Sequence, residues 1–166
     1  MSKRLLPLLI GLSIGGAVFA KTQPSPMTSS STTRVTTTTS TWSTQLPNGA
    51  MSEEAIKAAI AGAGYKQVKG LEFKDGVWRS KARGGNKKWV KLAVGPVSGR
   101  VYPSDAPSRL DEDEVSAKLT ATGYQNVKDV KFDHGLWRAK AKSAEGHSVD
   151  LLADPDDGSV VAQSHG

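Results

Sequence analysis

The chain has 166 residues, no cysteine, three histidines, and 22 lysines and arginines against 16 acidic side chains, a formal net charge of +6. Without cysteine there is neither a disulfide framework nor a lipoprotein anchor. His134, His147 and His165 fall in no metal-ligand spacing and beside no nucleophile, so no catalytic constellation, metal site or cofactor is expected.

The chain opens with Lys3 and Arg4, an apolar run from Leu5 to Val18, and the small-residue stretch Val18-Phe19-Ala20 before Lys21. This pattern predicts a secretory signal over residues 1–20 and a periplasmic or secreted mature protein, with no stable membrane span once the signal is removed. Residues 21–50 are dominated by Ser, Thr and Pro, as in Thr36-Thr37-Thr38-Thr39-Ser40. Such a composition buries too little apolar surface to offset chain entropy and predicts a disordered tether, in which Trp42 is incidental.

Met51 to Tyr102 then recurs, without insertion or deletion, from Leu110 to Val161. Gly64-Tyr65, Val68, Phe73, Gly76, Trp78-Arg79, Val90, Leu92, Pro96 and Gly99 match Gly123-Tyr124, Val127, Phe132, Gly135, Trp137-Arg138, Val149, Leu151, Pro155 and Gly158. The expected domains are a first repeat at 51–102, a proline-bearing linker at 103–109 and a second repeat at 110–162. Catalytic sites are rarely built twice, and the recurring residues are core and turn positions, so the expectation is a binding module rather than an enzyme.

Each repeat begins as a helix. Ser52 followed by Glu53 and Glu54, and Asp111 with Glu114 at capping-box spacing, mark the N-termini. Ile56, Ala59, Ile60 and Ala63 share one face, as do Val115, Lys118, Leu119 and Thr122; Gly64 and Gly123 stop the helices. The period then changes to two. Leu71 and Phe73, or Val130 and Phe132, alternate with charged residues, and Asp75-Gly76 and His134-Gly135 reverse the chain. Trp78, Ser80 and Ala82 share the following strand's inner face, opposite Arg79, Lys81 and Arg83. Further turns lead to strands around Leu92 and Leu151 and brief last strands at Val101 and Val160. The predicted class is α+β: two tandem repeats, each one helix packed on a three- to four-stranded antiparallel meander. Helix-covered faces hold the core, Trp78 and Trp137 included; the opposite faces carry charge and are expected to be open.

The copies differ in charge. Eleven basic and four acidic residues give Met51–Tyr102 a net +7, whereas seven basic and eleven acidic give Arg109–Gly166 a net −4. Strand parity gathers Arg79, Lys81, Arg83, Trp89 and Lys91 on the open face of the first sheet, and Ser148 and Asp150 replace Trp89 and Lys91 in the second. A tryptophan amid cations is an interface anchor, and these five residues form the candidate partner-binding site.

The order helix start, Gly-Tyr, Val, hydrophobic-x-Phe, Asp-Gly or His-Gly, hydrophobic-Trp, basic strand, Val-x-Leu, x-Pro-x-x-Gly and Val resembles the PepSY family of metalloprotease propeptides and small exported proteins. It covers both repeats but not the tether. The resemblance implies an exported, non-catalytic module that binds or restrains proteases. The tandem helix-plus-sheet shape is also similar to that of beta-lactamase inhibitory proteins. No protease domain follows the repeats, so the expected target is a separate exported or envelope protein, a peptidase by the family resemblance. An alternative is an envelope-associated structural protein whose basic repeat sits on anionic polymer or lipid headgroups. Head-to-tail self-association, basic repeat to acidic repeat, is a third expectation. Export removes nucleic acid as a partner. Asp154, Asp156 and Asp157 begin like a calcium loop, but the closing glutamate is missing, and a proline-led turn is expected there.

Overall fold

The computed structural model describes residues 41–165, which fall in one compact unit. The expected signal and the tether up to residue 40 lie outside the described residues. The first repeat comprises α1 (Glu53–Gly62), β1 (Lys66–Lys74), β2 (Val77–Arg83), β3 (Trp89–Val94) and β4 (Val101–Pro103); the second comprises α2 (Glu112–Ala121), β5 (Gln125–Asp133), β6 (Leu136–Lys142), β7 (Ser148–Ala153) and β8 (Val160–Gln163). Each repeat is one helix and a four-stranded antiparallel meander in sequential order, the expected α+β class with the strand number resolved to four.

Both helices start and stop as their sequences dictate. Ser52 Oγ accepts from the amide of Ala55, and Asp111 and Glu114 exchange side-chain-to-backbone bonds of 2.8 and 3.0 Å in a capping box. At the far ends Gly64 and Gly123 take φ values of +88° and +102°. The amides of Tyr65 and Tyr124 then return to the carbonyls of Ile60 and Leu119, and those of Gly64 and Gly123 to Ala61 and Thr120. This Schellman closure is the physical reason for the Gly-Tyr pair in each repeat.

Ile56 and Ile60, and Val115 and Leu119, are fully buried, each contributing about 1.5–3 kcal/mol by removal from water. Beneath the helices Trp78 meets Phe73 edge-on at 5.8 Å and Trp137 meets Phe132 at 5.4 Å, so both tryptophans are core residues, as their parity predicts. The Trp137 indole donates to Ser108 Oγ at 2.7 Å. The corresponding position in the first repeat is Gly49, and the Trp78 indole N–H has no protein partner.

A third core lies between the repeats and departs from the expectation of open outer faces. Val77, Ala93 and Tyr102 from the outer face of the first sheet pack with Leu136 and Leu152 from the second, and Val161, Ala162 and Trp42 complete the cluster. These residues sit where the strands are apolar on both faces, as in Val77-Trp78, Leu136-Trp137 and Leu151-Leu152-Ala153, the pattern of a sheet covered on two sides. The first reversal of each repeat meets the last strand of the other. A Cβ on Gly76 would lie 2.8 Å from the Ala162 methyl and 2.7 Å from the Trp42 ring, and one on Gly135 would lie 2.5 Å from the Pro103 carbonyl oxygen. Only the outer-face rows remote from these turns stay open.

Thr41 and Trp42, assigned to the tether by composition, lie against the folded body. Thr41 exchanges backbone hydrogen bonds of 2.9 and 3.0 Å with His165, and Trp42 packs on the third core rather than being incidental.

A polar clamp closes the same junction. Asp154, 1% exposed, accepts from Tyr102 Oη at 2.9 Å and pairs with Arg100 at 2.7 Å, while its other oxygen accepts from the amides of Asp156 and Asp157. Arg100 also reaches the carboxylates of Asp156 and Asp157 at 3.1 and 3.2 Å. The Asp-rich turn thus serves the inter-repeat contact, with Asp157 held below the usual carboxylate range by Ser159 and Arg100.

Gly135 and Gly146 share a positive φ, +83° and +85°, but only Gly135 abuts the other repeat. Alanine at either incurs the left-handed backbone cost; at Gly135 it also forces the repeats apart. Gly135→Ala should lower unfolding free energy by about 1–3 kcal/mol more than Gly146→Ala in urea titrations. Burial, with the Asp154 hydrogen bond, raises the Tyr102 hydroxyl well above its ordinary value of 10.0, so the fold holds the neutral phenol. The stabilisation from this raised value is complete below about pH 10, where the unfolded phenol is also neutral, and is lost as pH rises through the folded value. Tyr102→Phe should be less stable by about 1.5–3 kcal/mol at neutral pH, the worth of a hydrogen bond to a charged group. The gap between the two proteins should narrow above about pH 10 in parallel denaturant melts.

Candidate functional site

The strand register arranges the outer face of the first sheet in rows. One step in from the Lys74–Val77 pair at the first reversal, Glu72, Arg79, Ala93 and Tyr102 stand side by side across four strands. The next row is Lys69, Lys81 and Lys91, and beyond it come Lys66, Arg83 and Trp89. Tyr102 and Ala93 anchor the first row under the second repeat. The outer two rows are open.

Of the five residues that strand parity singles out, four belong to the open rows and one does not. Trp89 is 44% exposed, with Lys69 Nζ 4.8 Å above its ring and the Arg83 guanidinium at 5.9 Å. Arg83 is tied down by bonds to the Lys87 carbonyl at 3.1 Å and Gln67 Oε1 at 3.2 Å. Lys81 and Lys91 are exposed and directly opposite one another. Among the described residues, Lys69, Lys81 and Lys91 form no ion pair. Arg79 has a side chain only 24% exposed, turned toward the inter-repeat contact, with Asp75 at 3.6 Å. Burial lowers its pKa against the opposing pull of Asp75, and Arg138 of the second repeat shares the same carboxylate at 3.7 Å.

Lys69 joins this surface although the alternation around Leu71 and Phe73 does not predict it. Register shifts on either side of Lys69 break the period of β1. Gly70, at φ +60°, lets Val68 and Leu71 both face the helix. A glycine inside a strand pattern is the signal that marks such a bulge.

In the second repeat the same rows are compensated. Lys128, Lys140 and Asp150 stand in register, and Lys140 Nζ pairs with Asp129 at 3.2 Å. Gly70 and Lys91 occupy the positions of those two carboxylates in the first repeat. The Trp89 position is Ser148.

Residues 103–164 match the family model described as Peptidase propeptide and YPEB domain, PepSY_2. Domains of this kind are non-catalytic modules associated with peptidase propeptides. The match takes in the linker and the second repeat, so the lysine row and Trp89 lie outside it. No curated protein and no solved structure matches the chain. Among the described residues, no group of three His, Asp or Glu side chains is placed to hold a metal ion, and no helix is long and apolar enough to cross a membrane.

Like charges directly opposite on neighbouring strands cost stability. Lys91→Asp, which installs the second repeat's residue opposite Lys81, should therefore raise unfolding free energy by about 0.5 kcal/mol in low-salt urea melts. The gain should shrink as added salt screens the row.

Proposed function

We propose that the protein is an exported, non-catalytic binding module that docks on an acidic surface of a separate exported or envelope protein, a peptidase in the leading reading, through the basic sheet face of its first repeat. The observation that carries this is the row Lys69–Lys81–Lys91, three cations in register across three strands with no carboxylate to balance them, beside the half-exposed Trp89. A partner's carboxylates would relieve the repulsion, and the indole would supply an apolar anchor next to them. The basic start and apolar run of residues 3–18 support export, and the propeptide-type match of the second repeat supports a peptidase as the partner.

Lys81, Arg83, Trp89 and Lys91 make the contact in this reading. Arg79 contributes from its half-buried place at the inner margin. A second reading, docking on anionic envelope polymer or lipid headgroups, is favoured by the lysine row but gives Trp89 no task. Salt and mutation separate the two. Crosslinking in the native envelope should capture a peptidase, and Trp89→Ala should weaken that capture by about 2 kcal/mol while leaving the melting temperature nearly unchanged. Capture that survives Trp89→Ala yet disappears with rising ionic strength would move the assignment to the anionic polymer.

A further inference from the structure

β8 is an edge strand of the second sheet, and its open side is only partly used. On the other side Leu151 and Leu152 of β7 face Gln163 and Ala162, and the Ser164 amide donates to the Asp150 carbonyl at 2.9 Å. Hydrogen-bonded pairs alternate along an antiparallel ladder, so the backbone groups of Gln163 and His165 point away from β7. Those of His165 are met by Thr41, in two bonds of 2.9 and 3.0 Å. Those of Gln163 are not. After Thr41 the chain turns on itself, the Gln45 amide donating to Ser43 Oγ at 3.1 Å and the Ala50 amide to the Pro47 carbonyl at 3.0 Å. Among the described residues no backbone bond joins it to β8 again.

Between this segment and β8 lies a groove of ≈ 540 Å³, within the range of roughly 300–1,000 Å³ typical of ligand clefts. Residues between Ser43 and Asn48 form one wall, β8 and His165 form the other, and Phe73, Pro96 and Val97 of the first repeat complete it. No lysine, arginine, aspartate or glutamate lines it. Val97, Val160 and Val161 also border a hollow of ≈ 290 Å³ lined by Arg100 and Asp154, so the depression follows β8 along its length.

Leu46 and Val97, 45% and 58% exposed, are two of the three large apolar side chains left in solvent among the described residues, the third being Trp89. In the register of the repeat their counterparts are Asp105 and Asp156. Asp156 is engaged by Arg100 at 3.1 Å and Arg109 at 3.3 Å, whereas Val97 lines the groove. The inter-repeat junction that the polar clamp closes in one direction is an uncharged, open groove in the other.

We infer that this groove binds an uncharged, extended segment of a partner protein, which pairs with the free edge of β8 as a further strand and sets alternate apolar side chains beside Leu46, Val97 and Val160. Three features select this occupant. The bridge between Thr41 and His165 shows that the edge accepts an antiparallel strand. Val160, Val161, Ala162 and Gln163 carry no charge, the usual guard against strand addition. The wall from Ser43 to Asn48 stands across from β8 and leaves room for a single strand, not for the sheet edge of a second copy. The groove shares no lining residue with the basic face, so the two sites stand or fall separately.

The test titrates the full chain, isotopically labelled, with pools of capped pentapeptides. One pool alternates threonine with valine, leucine or phenylalanine, and a second carries glutamate at those apolar positions. Two more repeat the first with alternate backbone nitrogens methylated, one pool for each set. The apolar pool should bind roughly tenfold tighter than the glutamate pool, with its largest amide shifts at residues 45–46 and 161–163. Methylation should abolish binding in one of its two pools only, because a strand offers one set of amides to its neighbour. Val97→Asp, which installs the second repeat's residue at an exposed position, should cost about tenfold in affinity and leave the melting temperature nearly unchanged. Absence of shifts at residues 161–163 with every pool, or equal binding of the apolar and glutamate pools, would overturn the inference. Equal binding of the two methylated pools would overturn strand pairing and leave a cleft for small apolar ligands. Concentration-dependent shifts at the same residues without peptide, abolished by Val97→Asp, would overturn it in favour of a second copy.

Discussion

The packing of one outer sheet face against the other is the constraint on which the molecule depends. Each repeat has a single helix over a four-stranded sheet, and a unit of about 50 residues is near the lower limit for a self-sufficient core. Val77, Ala93, Tyr102, Leu136 and Leu152 would be solvent-exposed in an isolated repeat; together they form a third core. The glycine turns make that approach possible. Gly76 and Gly135 each let the first reversal of one repeat touch the last strand of the other, so the contact is reciprocal, in the manner of a two-fold interface built within one chain.

Reciprocity is not complete, and the departures bear on function. The polar clamp runs one way only, from Arg100 and Tyr102 of the first repeat to the Asp154 turn of the second. Its repeat equivalent would join Ser159 and Val161 to Gly95, which have no such chemistry. Part of the opposite charge of the repeats is consequently satisfied inside the molecule. That weakens the case for basic-to-acidic association between copies, since the acidic turn such a contact needs is already engaged by Arg100. The lysine row has no internal counterpart of this kind.

Much of the fold was legible because local chemistry and period agree. Ser52, the Asp111–Glu114 box, the Gly-Tyr pairs and the Asp75-Gly76 and His134-Gly135 reversals each specify one local geometry, and the alternation about Trp78 and Trp137 specifies the inner face. The inter-repeat core was harder to read because its members are interleaved with charges. Val77 and Leu136 lie on the same parity as Arg79 and Arg138, the face expected to be open; the doubly apolar runs at the first reversals are the signal that this end of the face is covered. Arg79 was placed on the open surface for the same reason. Trp42 is hidden by its neighbours: a Ser/Thr-rich stretch predicts disorder on average, but an indole with a core to land on and a paired backbone at Thr41 hold this point of the chain to the fold. Lys69 was missed because a bulge resets the period that precedes Leu71.

Duplication supplies an internal comparison that a single domain cannot. Both repeats face the same demands from helix, sheet and partner repeat, so differences at matched, exposed positions are free of those demands. At three such positions the first repeat gives up something its copy keeps. Gly70 forgoes the carboxylate that pairs Lys140, Lys91 sets a cation opposite Lys81, and Trp89 exposes an indole where Ser148 is small and polar. Lys91 and Trp89 are unfavourable for an isolated chain, whereas Gly70 suits the left-handed backbone of its bulge, and all three lie within adjoining rows of one surface. Random drift would not be expected to concentrate such changes there while the Gly-Tyr helix ends, the Phe–Trp pairs and the glycine of the first reversal are kept in both repeats. A ligand that supplies carboxylates and covers the indole makes the three substitutions favourable together. Their coincidence therefore weighs more for a binding role than any one of them alone.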